Sequence, residues 1–441
     1  MMDNRKFAIF VLFVFVWLLF MVVPHHWSVV DEAKISTRTQ NDKNYSPASN
    51  LPCLNEVTPN PEEKFITYLT HSTFHNQRAA LENAIILARL LNRSLLIPSA
   101  YMGVPYNWET FDKLYQLEHK NKKGKEHCSS ASIENMPPEC ASYTTWTRVP
   151  WSYFYDISPL KNFVTLYEET EINFPEEDVT YIKDSSKLDY KIVDDISKAG
   201  LGKFERLISI DELKKDSSKL LHFGSLFLAG RIQLFDTELQ KEGNFVRSQF
   251  MVYRNPVIES VSKSIIQQLG GAGNYASIHL RSADNTFYRN LDKNVQSIVE
   301  SLRSRLGTSS DKSEYNQDII TYSPLNSIPL KKNKPPTLEQ CLDASKHGQS
   351  IVYLATDSMN PRYNKAFEPI FREFPCTFVI RDFTKYLGAL SDETNRIDKV
   401  RLGPHMIPMV ETLVAARASE FVGTNESTFS AYIEHIQKLN L

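Results

Sequence analysis

The chain has 441 residues, with 50 Lys+Arg against 52 Asp+Glu for a formal net charge of -2, and 42% of its residues are hydrophobic. That is the make-up of a folded protein with a large core, long enough for two domains of roughly 150–200 residues with some chain left over. The charge balance excludes a protein that coats nucleic acid through a global basic field. The 15 glycines against 22 prolines leave few places for a glycine-rich phosphate loop. No G-x-x-x-x-G-K-S/T occurs, and Gly270-Gly271-Ala272-Gly273 comes before a strand-like run, where a dinucleotide turn would follow one.

Residues 7–23 are an unbroken apolar run. About 17 residues give roughly 25 Å of helix, which suits a thin bilayer. Arg5 and Lys6 precede the run, and Asp31 and Glu32 follow it. This asymmetry puts residues 1–6 in the cytosol and the bulk of the chain across the membrane. A cleaved signal peptide has a shorter apolar core, about 7–15 residues, and a small-x-small cleavage site. Pro24-His25-His26-Trp27 is a poor site, so the run reads as a retained transmembrane signal anchor. The expectation is a single-pass type II protein of the endoplasmic reticulum or Golgi with its bulk in the lumen. Residues 24–62 read as a flexible polar stem.

Folded signals begin at residues 65–69, a short strand. A polar turn is expected at 71–76. Next comes an amphipathic helix with Leu81, Ala84, Ile85, Ala88 and Leu91 at helical spacing, and a buried strand at 95–97. Strand, helix and strand in so short a stretch make a βαβ unit, the mark of a parallel sheet. Residues 105–160, rich in Trp, Tyr and Lys, read as an elaborated loop region. The alternation resumes with strands expected at 275–281, 351–355, 377–380 and 421–422, and helices at 292–306, 404–418 and 428–438. Residues 307–337 are polar, with Lys331, Lys332 and Lys334 before Pro335 and Pro336, and read as a solvated insertion loop. The fold class is therefore α/β, with two sheets. Domains are expected at 63–255 and 256–441, with ligands beyond the C-terminal ends of the strands.

The five cysteines, Cys53, Cys128, Cys140, Cys341 and Cys376, form no C-x-x-C. Proximity along the chain suggests Cys128–Cys140 and Cys341–Cys376 pairs, leaving Cys53 over.

Three segments put polar groups where a strand ends. The first is His71-Ser72-Thr73-Phe74-His75-Asn76-Gln77-Arg78. Here Ser72, Thr73 or Asn76 would cap the following helix, whose start favours anions. His71 and His75 lie four apart, but no third ligand follows, so a metal site is weak. The second is His279-Leu280-Arg281-Ser282-Ala283-Asp284, whose Arg can grip a diphosphate or simply pair with Asp284. The third is Gly423-Thr424-Asn425-Glu426-Ser427-Thr428-Phe429-Ser430, a strand break whose hydroxyls make an anion cradle or an ordinary cap. There is no D-x-D pair to hold a diphosphate through a cation and no G-x-S-x-G elbow.

These segments resemble the motifs of the GDP-fucose protein O-fucosyltransferase family. Residues 68–93, with Phe74-His75-Asn76-Gln77-Arg78 and Leu91-Asn92-Arg93, resemble the first motif, where Asn lies near the transferred sugar. His279-Leu280-Arg281 with Asp284 resembles the second, whose Arg binds the diphosphate. Ala355-Thr356-Asp357-Ser358 resembles the strand-end motif whose Asp helps hold the base, and residues 423–430 the last motif. Glu411 falls where relatives tend to carry an acidic residue. The resemblance runs from about residue 64 to the C-terminus in four ordered blocks. It implies a GT-B-like fold: two Rossmann-like domains facing a cleft, the acceptor on the N-terminal side and GDP-fucose on the C-terminal side.

The implied activity is inverting, metal-independent transfer of fucose from GDP-fucose to a protein or glycan acceptor, with no cofactor and no nucleic-acid partner. Arg281, Asn76 and His75 are the expected catalytic residues. His279, Asp284, Asp357, Ser427, Thr428, Phe429 and Glu411 are expected to bind the donor. Ser72-Thr73 stands where many relatives have glycine followed by Gly, Arg or Glu, so a catalytic base carried by some relatives is missing. His75, whose ordinary pKa is near 6.5, or the departing phosphate would take the proton. Two other readings remain open: a non-catalytic membrane-anchored binding module on a transferase fold, and a transferase using another nucleotide sugar. Sequons stand at Asn44, Asn92 and Asn425. Asn44 is the expected glycan site, and Asn425 is expected to be unmodified because a glycan there would block the phosphate loop.

Overall fold

The computed structural model describes residues 60–130, 136–168, 172–249, 251–283, 285–307 and 335–439. Its first sheet contains β1 (Phe65–Tyr68), β2 (Ser94–Ile97), β3 (Leu166–Glu168), β4 (Val179–Ile182) and β5 (Leu220–Phe223), all parallel, in the order β3-β2-β1-β5-β4. The second contains β6 (Ala276–Leu280), β7 (Val352–Thr356), β8 (Thr377–Val379) and β9 (Glu420–Gly423), also parallel, in the order β8-β7-β6-β9. Every residue of β6 is buried, as expected for a parallel strand covered on both faces. The α/β class and the parallel sheets are thus as the alternating pattern predicts. The described residues, from Asn60 onward, form one compact unit.

Five helices position the site residues: α1 (Phe74–Leu91), α2 (Pro256–Gln268), α3 (Leu291–Arg305), α4 (Gly403–Ala416) and α5 (Thr428–Lys438). α1 buries Leu81, Ala84, Ile85, Ala88 and Leu91 and ends at Asn92, whose left-handed φ of 50° turns the Arg93 N–H back onto the Ala88 carbonyl at 3.0 Å. α2 starts on the Asn255 side chain, with Pro256 in its first turn.

The expected polar turn at 71–76 is shorter than predicted, because α1 already begins at Phe74. His75 and Asn76 are therefore first-turn helical residues. Polar side chains in that turn carry no apolar period, which hid the start. Thr73 occupies the cap position without a side-chain capping bond, and Ser72 and Asn76 do not cap either.

Residues 105–160 are not all loop. They hold a helix, Phe111–Glu118, and a strand, Trp146–Val149, which pairs antiparallel with Ala100–Gly103. A three-stranded parallel sheet of Tyr190–Val193, Arg206–Ser209 and Ile232–Gln233 was not predicted. Both expected disulfides are formed, Cys128–Cys140 and Cys341–Cys376, with Cα atoms 5.2 and 5.6 Å apart. The second ties the helix Leu338–Ser345 to the residue before β8. The anchor at 7–23, the stem up to residue 59, Asn44, Cys53 and residues 308–334 of the expected insertion lie outside the described residues. Among the described residues, no helix is long and apolar enough to cross a membrane.

Candidate active site

Apart from Glu411 on α4 and Asp284, the predicted site residues lie at or just after the C-terminal ends of β1, β6, β7 and β9, the ends of parallel strands where ligands bind. After β1, the backbone turns through Ser72 at φ 66°, a left-handed conformation that favours glycine. The buried His71 ring fixes this turn. Its Nδ1 lies 2.7 Å from Ser72 Oγ and its Nε2 lies 2.6 Å from Ser225 Oγ. Burial, then Lys187 and Arg231, pull its pKa down to about 4, so the ring is neutral and its role is to brace the turn.

His75 and Asn76 follow on α1. The His75 ring meets Phe429 edge-on at 4.9 Å and Tyr432 at 4.9 Å. It is 5% exposed, and its Nδ1 has no partner among the described residues. Burial first, then Arg78, His279 and Arg281, hold its pKa well below the usual value. Asn76 Oδ1 accepts a 2.8 Å hydrogen bond from the Thr428 hydroxyl of α5.

On the second sheet, Arg281 leaves the end of β6. Its backbone N–H donates to Thr424 Oγ1 at 3.0 Å, and its Nε lies 3.3 Å from Asp357 Oδ2. Asp357, after β7, also accepts from the Ser282 N–H and hydroxyl, both at 2.7 Å, and from the Ala283 N–H at 3.2 Å. Its carboxylate thus shapes the loop that carries Arg281. Thr424 in turn donates from Oγ1 to the His279 carbonyl at 3.0 Å.

His279 is buried, with Nδ1 2.7 Å from Ser430 Oγ and its ring 4.6 Å from Phe429. Burial, then Arg281, lowers its pKa to about 3, so it is a neutral support for the first turn of α5. Ser427 caps that helix, its Oγ accepting from the Ser430 N–H. The turn is tight: a Cβ on Gly423 would fall 2.6 Å from Ser430 Cβ. Behind it, α4 buries Glu411, whose Oε1 has no partner among the described residues. Burial raises its pKa to about 8, with Asp357 adding to the rise and a hydrogen bond from the Thr356 backbone opposing it. Glu411 is protonated at neutral pH.

These ends enclose a cavity of about 240 Å³. The turn after β1 contributes Ser72, Thr73 and His75, and the second sheet contributes Arg281, Thr428 and Phe429. Of the predicted residues, His75, Arg281, Thr428 and Phe429 line it, and Asn76 is tied to it through Thr428. His279, Ser427 and Asp357 brace the lining, and Glu411 lies behind Asp357. Asp284 lies outside the described residues.

Sequence reasoning missed two parts of the wall: the strand residues Tyr101, Met102 and Gly103, and His405 at the start of α4. Gly403-Pro404 was the available signal for the second, since proline favours a helix's first turn. A larger depression of about 490 Å³ is lined by Lys64, Ser94 and Thr165. Lys64 and Thr165 precede β1 and β3 and Ser94 opens β2, so it lies at the wrong end of the sheet for this kind of site. Among the described residues, the one His/Cys/Asp/Glu group spaced for a metal is His127, Cys128 and Cys140, and there the two sulfurs are joined in a disulfide.

The sequence model of the family described as GDP-fucose protein O-fucosyltransferase matches residues 129–440. The match takes in the Arg281, Asp357 and Thr428 segments, and the turn after β1 lies before it. No curated protein matches the chain. Similar solved structures include POFUT1 in complex with GDP-fucose, 13% identical, covering 87% of this chain and 95% of that one, with a TM-score of 0.39. Another is NodZ α-1,6-fucosyltransferase soaked with GDP-fucose, 12% identical, covering 85% and 92%, with a TM-score of 0.39. A third is the fucosyltransferase NodZ from Bradyrhizobium, 10% identical, covering 84% and 93%, with a TM-score of 0.37.

Proposed function

The chain belongs to the GDP-fucose protein O-fucosyltransferase family and is a glycosyltransferase, and from that premise we propose that it transfers fucose from GDP-fucose to a hydroxyl of a protein or glycan acceptor, inverting the anomeric carbon and using no metal ion. The observation that carries this reading is the shared cavity. Arg281 and Thr428 of the second sheet face the turn after β1 of the first across it.

At about 240 Å³ the cavity is smaller than the roughly 300–1,000 Å³ of most ligand pockets. It suits the sugar end of the donor, with the nucleotide running over the ends of β6 and β7. Departure of GDP breaks the bond between the anomeric carbon and the β-phosphate oxygen, and the electron pair leaves with the phosphate. Arg281 and the N–H groups opening α5 stabilise that charge. Preorganised donors of this kind are each worth about 10²–10³-fold in rate. A guanidinium suits the task because it offers several donors to one diphosphate. The 3.3 Å contact with Asp357 holds Arg281 ready beforehand. His279, Ser427 and Phe429 keep the first turn of α5 in place, and Glu411 and Asp357 keep the loop after β6 in place.

Asn76 has its oxygen engaged by Thr428, which leaves its amide N–H groups to orient the acceptor or the sugar. The two disulfides support an oxidising lumenal setting. The apolar run at 7–23 supports anchoring there by a type II membrane helix, in the endoplasmic reticulum or Golgi. The reading is tested by incubating the protein with GDP-fucose and panels of folded protein domains and oligosaccharides, with mass spectrometry of the products. A product heavier by one fucose supports it. Transfer from a UDP-sugar in the parallel arm, with none from GDP-fucose, contradicts it.

A further inference from the structure

The donor side of the cavity is well supplied with groups, but its acceptor side lacks an evident base. Among the described residues no Asp or Glu lines the cavity, and the imidazoles that do are His75 and His405. They differ in surroundings. His75 is 5% exposed and wedged between Phe429 and Tyr432. Two guanidinium groups, those of Arg78 and Arg281, press on it. Burial would desolvate an imidazolium there, and its Nδ1 has no partner among the described residues. His405 is half-buried, in the first turn of α4, and its side chain makes no hydrogen bond among the described residues. The cation nearest in effect is Lys122, and that ammonium lies 2.5 Å from Asp398 Oδ2.

We propose that His405 is the catalytic base, the group that takes the proton from the acceptor hydroxyl. The inference rests on the fucosyltransfer reading. The acceptor O–H bond breaks as its oxygen bonds to the anomeric carbon. The proton passes to the free imidazole nitrogen of His405, and the bond to the β-phosphate breaks with its electron pair leaving on GDP. The imidazolium then returns its proton to solvent. Helix position keeps the ring ready for this, because the N-terminal end of α4 disfavours a positive charge and so keeps the resting ring neutral. Burial and Lys122 act in the same direction. The other charged or titratable groups lining the same cavity are Tyr101, His75 and Arg281, and Asp398 is the partner of Lys122.

The test compares wild type, His405→Ala, His405→Gln and His75→Gln in GDP-fucose turnover at saturating acceptor, with GDP protection in thermal unfolding as the binding readout. The expected result is a fall in kcat of about 10²–10⁴-fold for both His405 variants. KM for GDP-fucose and GDP protection should stay within threefold of wild type. Added imidazole should restore part of the His405→Ala rate, and the acid limb of the pH profile should vanish in the variants. His405 variants within threefold of wild-type kcat, or a loss confined to KM, would overturn the proposal while leaving fucosyltransfer intact. His75→Gln falling by 10² or more with His405→Gln near normal would move the role to His75. A wild type that never turns over GDP-fucose would overturn both this proposal and the reading beneath it.

Discussion

The Thr428 hydroxyl donates a 2.8 Å hydrogen bond to Asn76 Oδ1, joining the first turns of α5 and α1 across 352 positions of sequence. One helix follows the second sheet and the other follows the first, so this bond fixes the distance between donor-side and acceptor-side groups. A neutral hydrogen bond contributes about 0.5–1.5 kcal/mol net. A double-mutant cycle of Asn76→Ala and Thr428→Val, read in kcat/KM, should show coupling of that size. Strictly additive losses would mean that the two residues act independently.

Glu411 gives the fold a pH signature. Its folded-state pKa of about 8 lies above the ordinary 4.5, so the folded state holds a proton that the unfolded state gives up. Stability from this group is complete below the ordinary value and is lost as pH rises through about 8. Wild-type Tm should therefore fall over that window. Glu411→Gln, which keeps the neutral shape, should fall less and gain on wild type at the alkaline end. Parallel Tm curves for the two proteins from pH 5 to 8.5 would contradict this.

Gly423 tests the packing of α5. A methyl group there would lie 2.6 Å from Ser430 Cβ and 2.7 Å from its Oγ, and Ser430 is the partner of His279. Overpacking of this kind costs about 1–3 kcal/mol. Gly423→Ala should lower Tm and raise KM for GDP-fucose, because the helix start that faces the diphosphate must move. Unchanged Tm and KM would show that the turn has slack.

The two disulfides should not be equal. Cys341–Cys376 spans 35 positions and Cys128–Cys140 spans 12. Loop-closure entropy then makes the first more stabilising by roughly 1 kcal/mol. Cys341→Ser should lower Tm more than Cys128→Ser in thermal unfolding. The reverse order would point to native-state packing as the larger effect.

Much of this was legible in the sequence where burial imposes a pattern. The strands of the second sheet sit within a residue or two of their expected places, because β6 and β7 are buried nearly end to end and read as apolar runs between turns. The site segments were legible because polar residues such as His279 and Arg281 interrupt those runs at the strand ends. The start of α1 was not, since His75 lines the cavity, Asn76 bonds Thr428, and both break the apolar period there. The strand pair at Ala100–Gly103 and Trp146–Val149 was also missed. It is held by local aromatic stacking, with Tyr101 and Trp146 ring centroids 5.8 Å apart, and short paired strands of that kind leave little alternation to read. Nor does a sequence show which of two imidazoles an apolar pocket will close over. That distinction between His75 and His405 belongs to packing.

The central claim turns on Arg281 most directly. Release of GDP from GDP-fucose, measured for wild type and Arg281→Ala with Tm recorded alongside, tests it. Turnover by wild type, a loss of at least about 10²–10³-fold in the variant, and little change in Tm for this partly exposed side chain are the predicted results. Near-normal turnover by a folded Arg281→Ala protein would contradict the account.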